Sequence, residues 1–284
     1  MAEKRKPIRF RRAKVYLENK QAAVKGLIYA SAGTGKTWLA AGSPNPVVIL
    51  TEKNGITSVA HSNPEAIVIE VTSADELFDV IVDAQDGHLD AEDDEGNSHK
   101  IPFETLIIDS LTEAQRLIKD RILKNANRDE MILKDWNTLA NHMQRLVRAI
   151  RDLPCHVICT ALQEDQYEDS TGTRYIKPQF EGKKTTQQIS QYFNFVGWLF
   201  KKEGGTVSVS NGELIPRYLM LDGPNNVMCK PAHPVIGVIE NPSISQILSD
   251  IQGSGESTQI QVVPAEIKKT TQNNTKPRRR RMAK

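Results

Sequence analysis

No run of apolar residues in this chain approaches the roughly 18 that a membrane-spanning helix requires, so no membrane span is expected. The basic N-terminus has no apolar stretch behind it, which speaks against a secretory signal. Cysteine is scarce: Cys155, Cys159 and Cys229 are the whole set. Cys155 and Cys159 sit on one apparent strand, too far apart to bridge. That argues against a disulfide scaffold or a cysteine zinc site and fits a reducing, cytoplasmic setting. The histidines at 61, 88, 99, 142, 156 and 233 show no metal-ligand spacing. No G-x-S-x-G elbow is present, so the usual hydrolase nucleophile is not offered either.

Charge is present in quantity but unevenly placed. The net charge is +2 over 284 residues. Residues 1–14, MAEKRKPIRFRRAK, carry seven Lys/Arg and one Glu, and residues 276–284, KPRRRRMAK, carry six and no acid. Without these ends the body is about 10 units negative. Two basic arms on an acidic body predict contact with a polyanion such as nucleic acid. We divide the chain into a basic flexible arm (1–14), one α/β domain (15–251) and a disordered tail with a basic end (252–284). The tail is rich in Gly, Ser, Thr, Gln and Asn. Residues 86–100, DGHLDAEDDEGNSHK, lack periodicity and read as an acidic, mobile surface insertion.

Apolar strands alternate with helices. "VKGLIYA" (24–30), "PVVILT" (46–51), "EAIVIEV" (65–71), "FETLIID" (103–109) and "CHVICTAL" (155–162) read as buried strands. "SADELFDVIVDAQ" (73–85) reads as a helix capped by Ser73 and Glu76. Two amphipathic helices follow Asp109, and in the second Leu139, Met143, Leu146, Val147 and Ile150 share a face. "FNFVGWLFKK", "GTVSVS", "PRYLMLD" and "PVIGVIE" are expected as later, antiparallel strands. The fold class is therefore α/β, a mostly parallel sheet flanked by helices.

The chemistry is concentrated in "YASAGTGKTWLA". Between a strand and a helix, Ala30, Ser31, Ala32, Gly33, Thr34, Gly35, Lys36 and Thr37 fit G-x-x-x-x-G-K-[ST], with Ala30 in place of the first glycine. Inward-facing amides of such a loop form an anion nest, which needs the backbone freedom of Gly33 and Gly35. Lys36 is expected to reach the terminal phosphates and Thr37 to ligate Mg²⁺, with Trp38 completing the nucleotide contacts. ATP and Mg²⁺ are the expected cofactors. "TLIIDS" places Asp109 at the carboxyl end of a central strand, where open α/β sheets bind ligands, and makes it the second metal-side group. Hydrolysis also needs a group to orient water. Ser110 occupies the position after Asp109, so that group must come from elsewhere. Glu52, ending "VVILTE", is the candidate, on a strand expected beside the phosphate-loop strand.

A glutamate on the strand after the phosphate-loop helix, with "IIDS" as the acidic strand end, resembles the RecA-like ATPases. "IYASAGTGKTWLA", "VVILTEKNG", "TLIIDSLTE" and "DLPCHVICTA", in that order, are similar to phage nucleotide-binding P-loop ATPases of the AAA/RecA-like class. That group includes phage RecA-like single-strand annealing proteins. The resemblance covers about residues 23–240. It implies a RecA-like P-loop NTPase core, Mg-ATP hydrolysis and action on single-stranded DNA in recombination, annealing or replication. It also implies a host-cytoplasmic location, a ring or filament of like subunits, and work alongside a single-strand-binding protein.

By the same resemblance Gln163 is a γ-phosphate-sensing residue, and the segment after it is a DNA-contacting loop. There Arg174, Tyr175, Lys177, Phe180, Lys183 and Lys184 interleave base and aromatic, a pattern suited to phosphate contact and base stacking. Arg217 and Lys230 are candidates for completing a neighbouring subunit's site. Two other readings stay open: a P-loop switch or loader with little turnover, and a P-loop kinase for a small molecule, for which "RYIKPQFEGKK" makes a poor lid.

Overall fold

The structure, a computed structural model, describes residues 23–93, 95–182, 185–201, 215–232 and 237–253, without the side chain of Lys53. Both basic ends, the expected strand "GTVSVS", Lys183 and Lys184 lie outside the described residues.

Strand β1 (Lys25–Ala30) leads through a loop into helix α1 (Lys36–Ala41). Then come β2 (Pro46–Leu50), α2 (Ile56–Ser62), β3 (Ile67–Glu70) and α3 (Ala74–Asp83). A two-stranded excursion, β4 (His88–Glu92) and β5 (Ser98–Pro102), precedes β6 (Thr105–Asp109), α4 (Leu111–Ala126) and α5 (Leu133–Asp152). The chain continues through β7 (His156–Glu168), β8 (Thr173–Pro178), α6 (Thr185–Ser190), β9 (Phe195–Lys201), β10 (Arg217–Met220), β11 (Val238–Glu240) and α7 (Ile244–Ile251).

The main sheet has the order β11-β10-β9-β1-β7-β6-β2-β3, with β8 paired to β7 beyond the sheet's body. From β9 to β3 every neighbouring pair is parallel, and β10 and β11 add antiparallel strands at one edge. The expected fold class holds, with one adjustment: β9 joins the parallel set, and the antiparallel strands begin at β10. The sheet is mixed and mostly parallel, with helices on both faces.

Alternate residues of the central strands enter two separate cores. Leu27, Tyr29, Val47, Ile49, Leu106 and Ile108 face α3, α4 and α5 through Leu77, Ile81, Ile118, Met143 and Leu146. Ile28, Ala30, Val48, Leu50, Ile107 and Ile158 face α1, α2 and α7 through Leu39, Val59, Ile244 and Leu248. Burial on both faces explains why these strands are continuously apolar rather than alternating.

Strand order corrects one expectation. β2 does not lie beside β1, because β7 and β6 stand between them. β6 is fully buried and so is most of the sheet-forming half of β7, which suits them to the middle. The partly exposed β3 takes the edge. The segment 86–100 also departs from expectation. It is not irregular but forms the β4–β5 hairpin, pinned by Leu89, which is 2% exposed. Its turn is organised by Asp93, whose carboxylate accepts from the amides of Glu95 and Asn97 and from the His99 ring. Local side-chain bonds of this kind leave no hydrophobic periodicity to read. At α3, Ser73 accepts from the Glu76 amide as expected, and the Glu76 carboxylate reaches back to the Thr72 amide at 2.8 Å.

Candidate functional site

The phosphate loop springs from a rigid base. Ala30 is fully buried at the end of β1 and pairs with Leu162 of β7, a setting in which a methyl group is accommodated. Gly33 (φ 72°) and Gly35 (φ 103°) take the left-handed backbone that the loop needs. Thr34 Oγ1 donates to the Ser31 carbonyl at 2.9 Å, and Lys36 Nζ donates to the carbonyls of Ala30 and Ser31, both at 3.1 Å. The Lys36 side chain is thus folded back along the loop. Burial pulls its pKa below the usual lysine value, and the nearby carboxylates of Asp109 and then Glu52 act against that shift.

Asp109 joins the loop to the rest of the site. Thr37 Oγ1 donates to Asp109 Oδ2 at 2.6 Å, and Thr160 of β7 donates to Oδ1. Glu52 Oε1 accepts from Ser110 Oγ at 3.1 Å, so this carboxylate sits one residue from Asp109 although its strand is not next to β1. Ser110 is itself fixed from both sides, its amide donating to Thr51 Oγ1 and its carbonyl accepting from the same hydroxyl. Gly55 closes the floor: a Cβ there would lie 3.2 Å from Asp109 Oδ2 and 2.9 Å from Leu50. The mouth is a cleft of about 340 Å³ lined by Gly33, Gly35, Lys36, Thr37, Trp38 and Arg217 on one side and by Thr57, Ser58 and His61 on the other.

A family model described as "AAA domain" matches residues 22–228, most of the chain and the whole of this site. The chain belongs to this AAA domain family. No curated protein matches it by sequence. Among solved structures it is similar to a KaiC-like protein of Pyrococcus horikoshii OT3 at 12% identity and TM-score 0.39, covering 69% of this chain and 77% of that one. It is also similar to a second solved structure, an ATPase domain, at 12% identity and TM-score 0.43, covering 78% and 81%. A DnaB-like replicative helicase follows, at 12% identity and TM-score 0.42, covering 76% of this chain and 56% of that one.

The hard oxygen donors of Thr37 and Asp109 suit Mg²⁺, which keeps most of its waters and takes few protein ligands. Among the described residues no group of three or more His, Cys, Asp or Glu side chains is placed to hold a metal by itself.

Other expected site residues of this AAA domain are placed differently. Gln163 is held at the base of the β7–β8 hairpin, its Oε1 accepting from Trp198 Nε1 at 2.7 Å and its Nε2 donating to Asp165. It has no hydrogen bond to the phosphate loop. Lys230 turns inward, donating to the carbonyls of Gln191 and Phe193. Arg217 is also directed within its own chain: its Nε donates to the Thr34 carbonyl at 2.8 Å and its guanidinium lies 5.9 Å over the Trp38 ring. Within this chain, then, its described side-chain contacts are to its own phosphate loop and to Trp38.

The hairpin carries the expected interleaved residues but neutralises them locally. Arg174 pairs with Asp165 at 2.9 Å and Lys177 with Glu164 at 3.4 Å, while the Tyr175 hydroxyl meets Glu168. Phe180 is 5% exposed and belongs to the core, so it is not a stacking platform.

Sequence reasoning does not reach Thr160, whose only signal is a hydroxyl in an otherwise apolar strand. Nor does it reach Thr57, Ser58 and His61, on a helix too short for periodicity to announce. Lys201 escapes it too. Its Nζ donates to the Gly33 carbonyl at 3.3 Å, a reach that only the β9–β1 pairing reveals.

Proposed function

We propose that this AAA domain binds Mg-ATP and hydrolyses it, with Glu52 as the water-orienting carboxylate, and that the cycle is spent on single-stranded DNA in phage-type recombination, annealing or replication. The carrying observation is the hydrogen-bonded chain Thr37–Asp109 together with Glu52–Ser110, which sets a carboxylate beside the metal-side group and opposite the phosphate loop. In this reading the loop amides and Lys36 hold the triphosphate, and Thr37 and Asp109 hold Mg²⁺. The ion, when bound, neutralises charge on the phosphate oxygens. Glu52 is partly free to accept a proton or to align water, since its described hydrogen bond occupies one oxygen.

Support for DNA as the polyanion comes from the basic residues of 1–14 and 276–284 against the acidic body. Assembly into a ring or filament, and a single-strand-binding protein as partner, belong to the same proposal.

The test is phosphate release with and without single-stranded DNA. DNA-stimulated turnover is expected. Glu52→Gln should lower it at least about a hundredfold while ATP stays bound, a loss typical of a removed catalytic base. Turnover indifferent to both DNA and Glu52→Gln would overturn the assignment.

A further inference from the structure

Lys201 and Arg217 are directly opposed on neighbouring antiparallel strands, in register across β9 and β10. Like charges so placed repel. Among the described residues neither is paired with a carboxylate. Instead they grip consecutive carbonyls of the phosphate loop, Lys201 that of Gly33 and Arg217 that of Thr34.

The grip is built rather than incidental. The backbone of Arg217 is clamped on both sides by Asn241, whose side-chain oxygen Oδ1 accepts from the Arg217 amide and whose own amide donates to the Arg217 carbonyl at 2.7 Å. Asn241 adopts a left-handed backbone (φ 47°) to do so. On the opposite face of the same two strands Trp198, Phe200 and Tyr218 stack, with ring centroids 4.4 and 5.7 Å apart, and hold β9 against β10. Gly35 leaves room for the guanidinium: a Cβ there would stand 2.7 Å from Arg217 Nε.

We infer that Lys201 and Arg217 form a second cationic rim of the nucleotide site, supplied by the same chain, that recognises the polyphosphate in cis. The inference rests on the nucleotide reading above. Among the described residues the Arg217 side chain hydrogen-bonds through Nε alone, to Thr34, which leaves its two terminal nitrogens as donors for the cleft it lines. A bound polyphosphate would supply negative charge to this opposed pair, which has no carboxylate partner among the described residues.

The test measures binding of ATP, ADP and adenosine to the full chain, wild type against Arg217→Ala, Arg217→Lys and Lys201→Ala, with thermal unfolding as the folding control. Loss of a charge-assisted hydrogen bond predicts about ten- to a hundredfold weaker ATP and ADP binding in Arg217→Ala. Partial recovery is expected in Arg217→Lys, a smaller loss in Lys201→Ala, and no change for adenosine. If Arg217→Ala fails to fold, Arg217→Lys and Lys201→Ala carry the measurement.

Unchanged ATP binding in all three variants, or an equal loss for adenosine, would overturn the inference. So would restored turnover on mixing Lys36→Ala with Arg217→Ala protein, because complementation requires an arginine acting between subunits. If wild type itself bound no ATP, the nucleotide reading would fall first. ATP binding that is lost in Lys36→Ala but intact in the rim variants would sink only the rim.

Discussion

At the scale of single residues, Asp109 is the meeting point. It receives hydroxyls from the phosphate-loop helix and from β7, and its successor Ser110 holds Glu52. Asp109→Asn keeps the shape and removes the charge. We expect ATP binding in the presence of Mg²⁺ to fall towards its Mg²⁺-free level, measured by titration with and without the ion. Lys25 offers a separate test. It is 2% exposed, donates to the carbonyls of Leu153 and Cys155, and burial pulls its pKa down to about 8 from 10.5. Below pH 8 the ammonium is charged in both folded and unfolded chains, and the fold bears the full cost of burying it. Between about 8 and 10.5 the folded chain sheds the proton first, so stability rises with pH by up to about 3 kcal/mol. The difference in urea midpoint between wild type and Lys25→Met should therefore change across that window. A constant difference would show that Lys25 does not titrate there.

At the scale of elements, the β7–β8 hairpin is where sequence and structure part. Its basic and aromatic residues read as a DNA contact, yet Asp165 and Glu164 answer Arg174 and Lys177. If the hairpin does lie on the DNA path, Glu164→Gln with Asp165→Asn should strengthen single-stranded DNA binding several-fold by unmasking those cations. Unchanged affinity in a filter-binding or anisotropy titration would remove the hairpin from the path. Much of the rest is legible. The strands around Leu27, Val48, Ile107 and Ile158 declare themselves because burial on both faces leaves an unbroken apolar run. The core face of α5 is plain in the spacing from Leu139 to Ile150. The phosphate loop is legible because few residue types permit its backbone. Pairing between distant strands is not: nothing local in "LFK" or "RYLM" tells that Lys201 and Arg217 stand face to face. The order of β1, β7, β6 and β2 stays hidden for the same reason, since crossover connections carry no register of their own.

At the scale of the whole molecule, the acidic body and the two basic ends predict divided labour. Deleting residues 1–14 or 276–284 should weaken single-stranded DNA binding and flatten its dependence on salt, in proportion to the number of phosphates no longer neutralised. ATP affinity, which belongs to the body, should be unaffected by either deletion. A salt slope equal to that of the full chain would show that the ends bind something else.

The position of β7 has a mechanical consequence. This strand separates the two halves of the site, with Lys36 rooted on one side and Glu52 on the other, and it then runs on without a break into the projecting hairpin. Tyr29, deep in β1, fastens the same region by donating to the carbonyls of Ile176 and Met228. Whatever takes hold of the hairpin tip therefore pulls on the strand that lies between Lys36 and Glu52, the groups proposed to hold the phosphates and to orient the water.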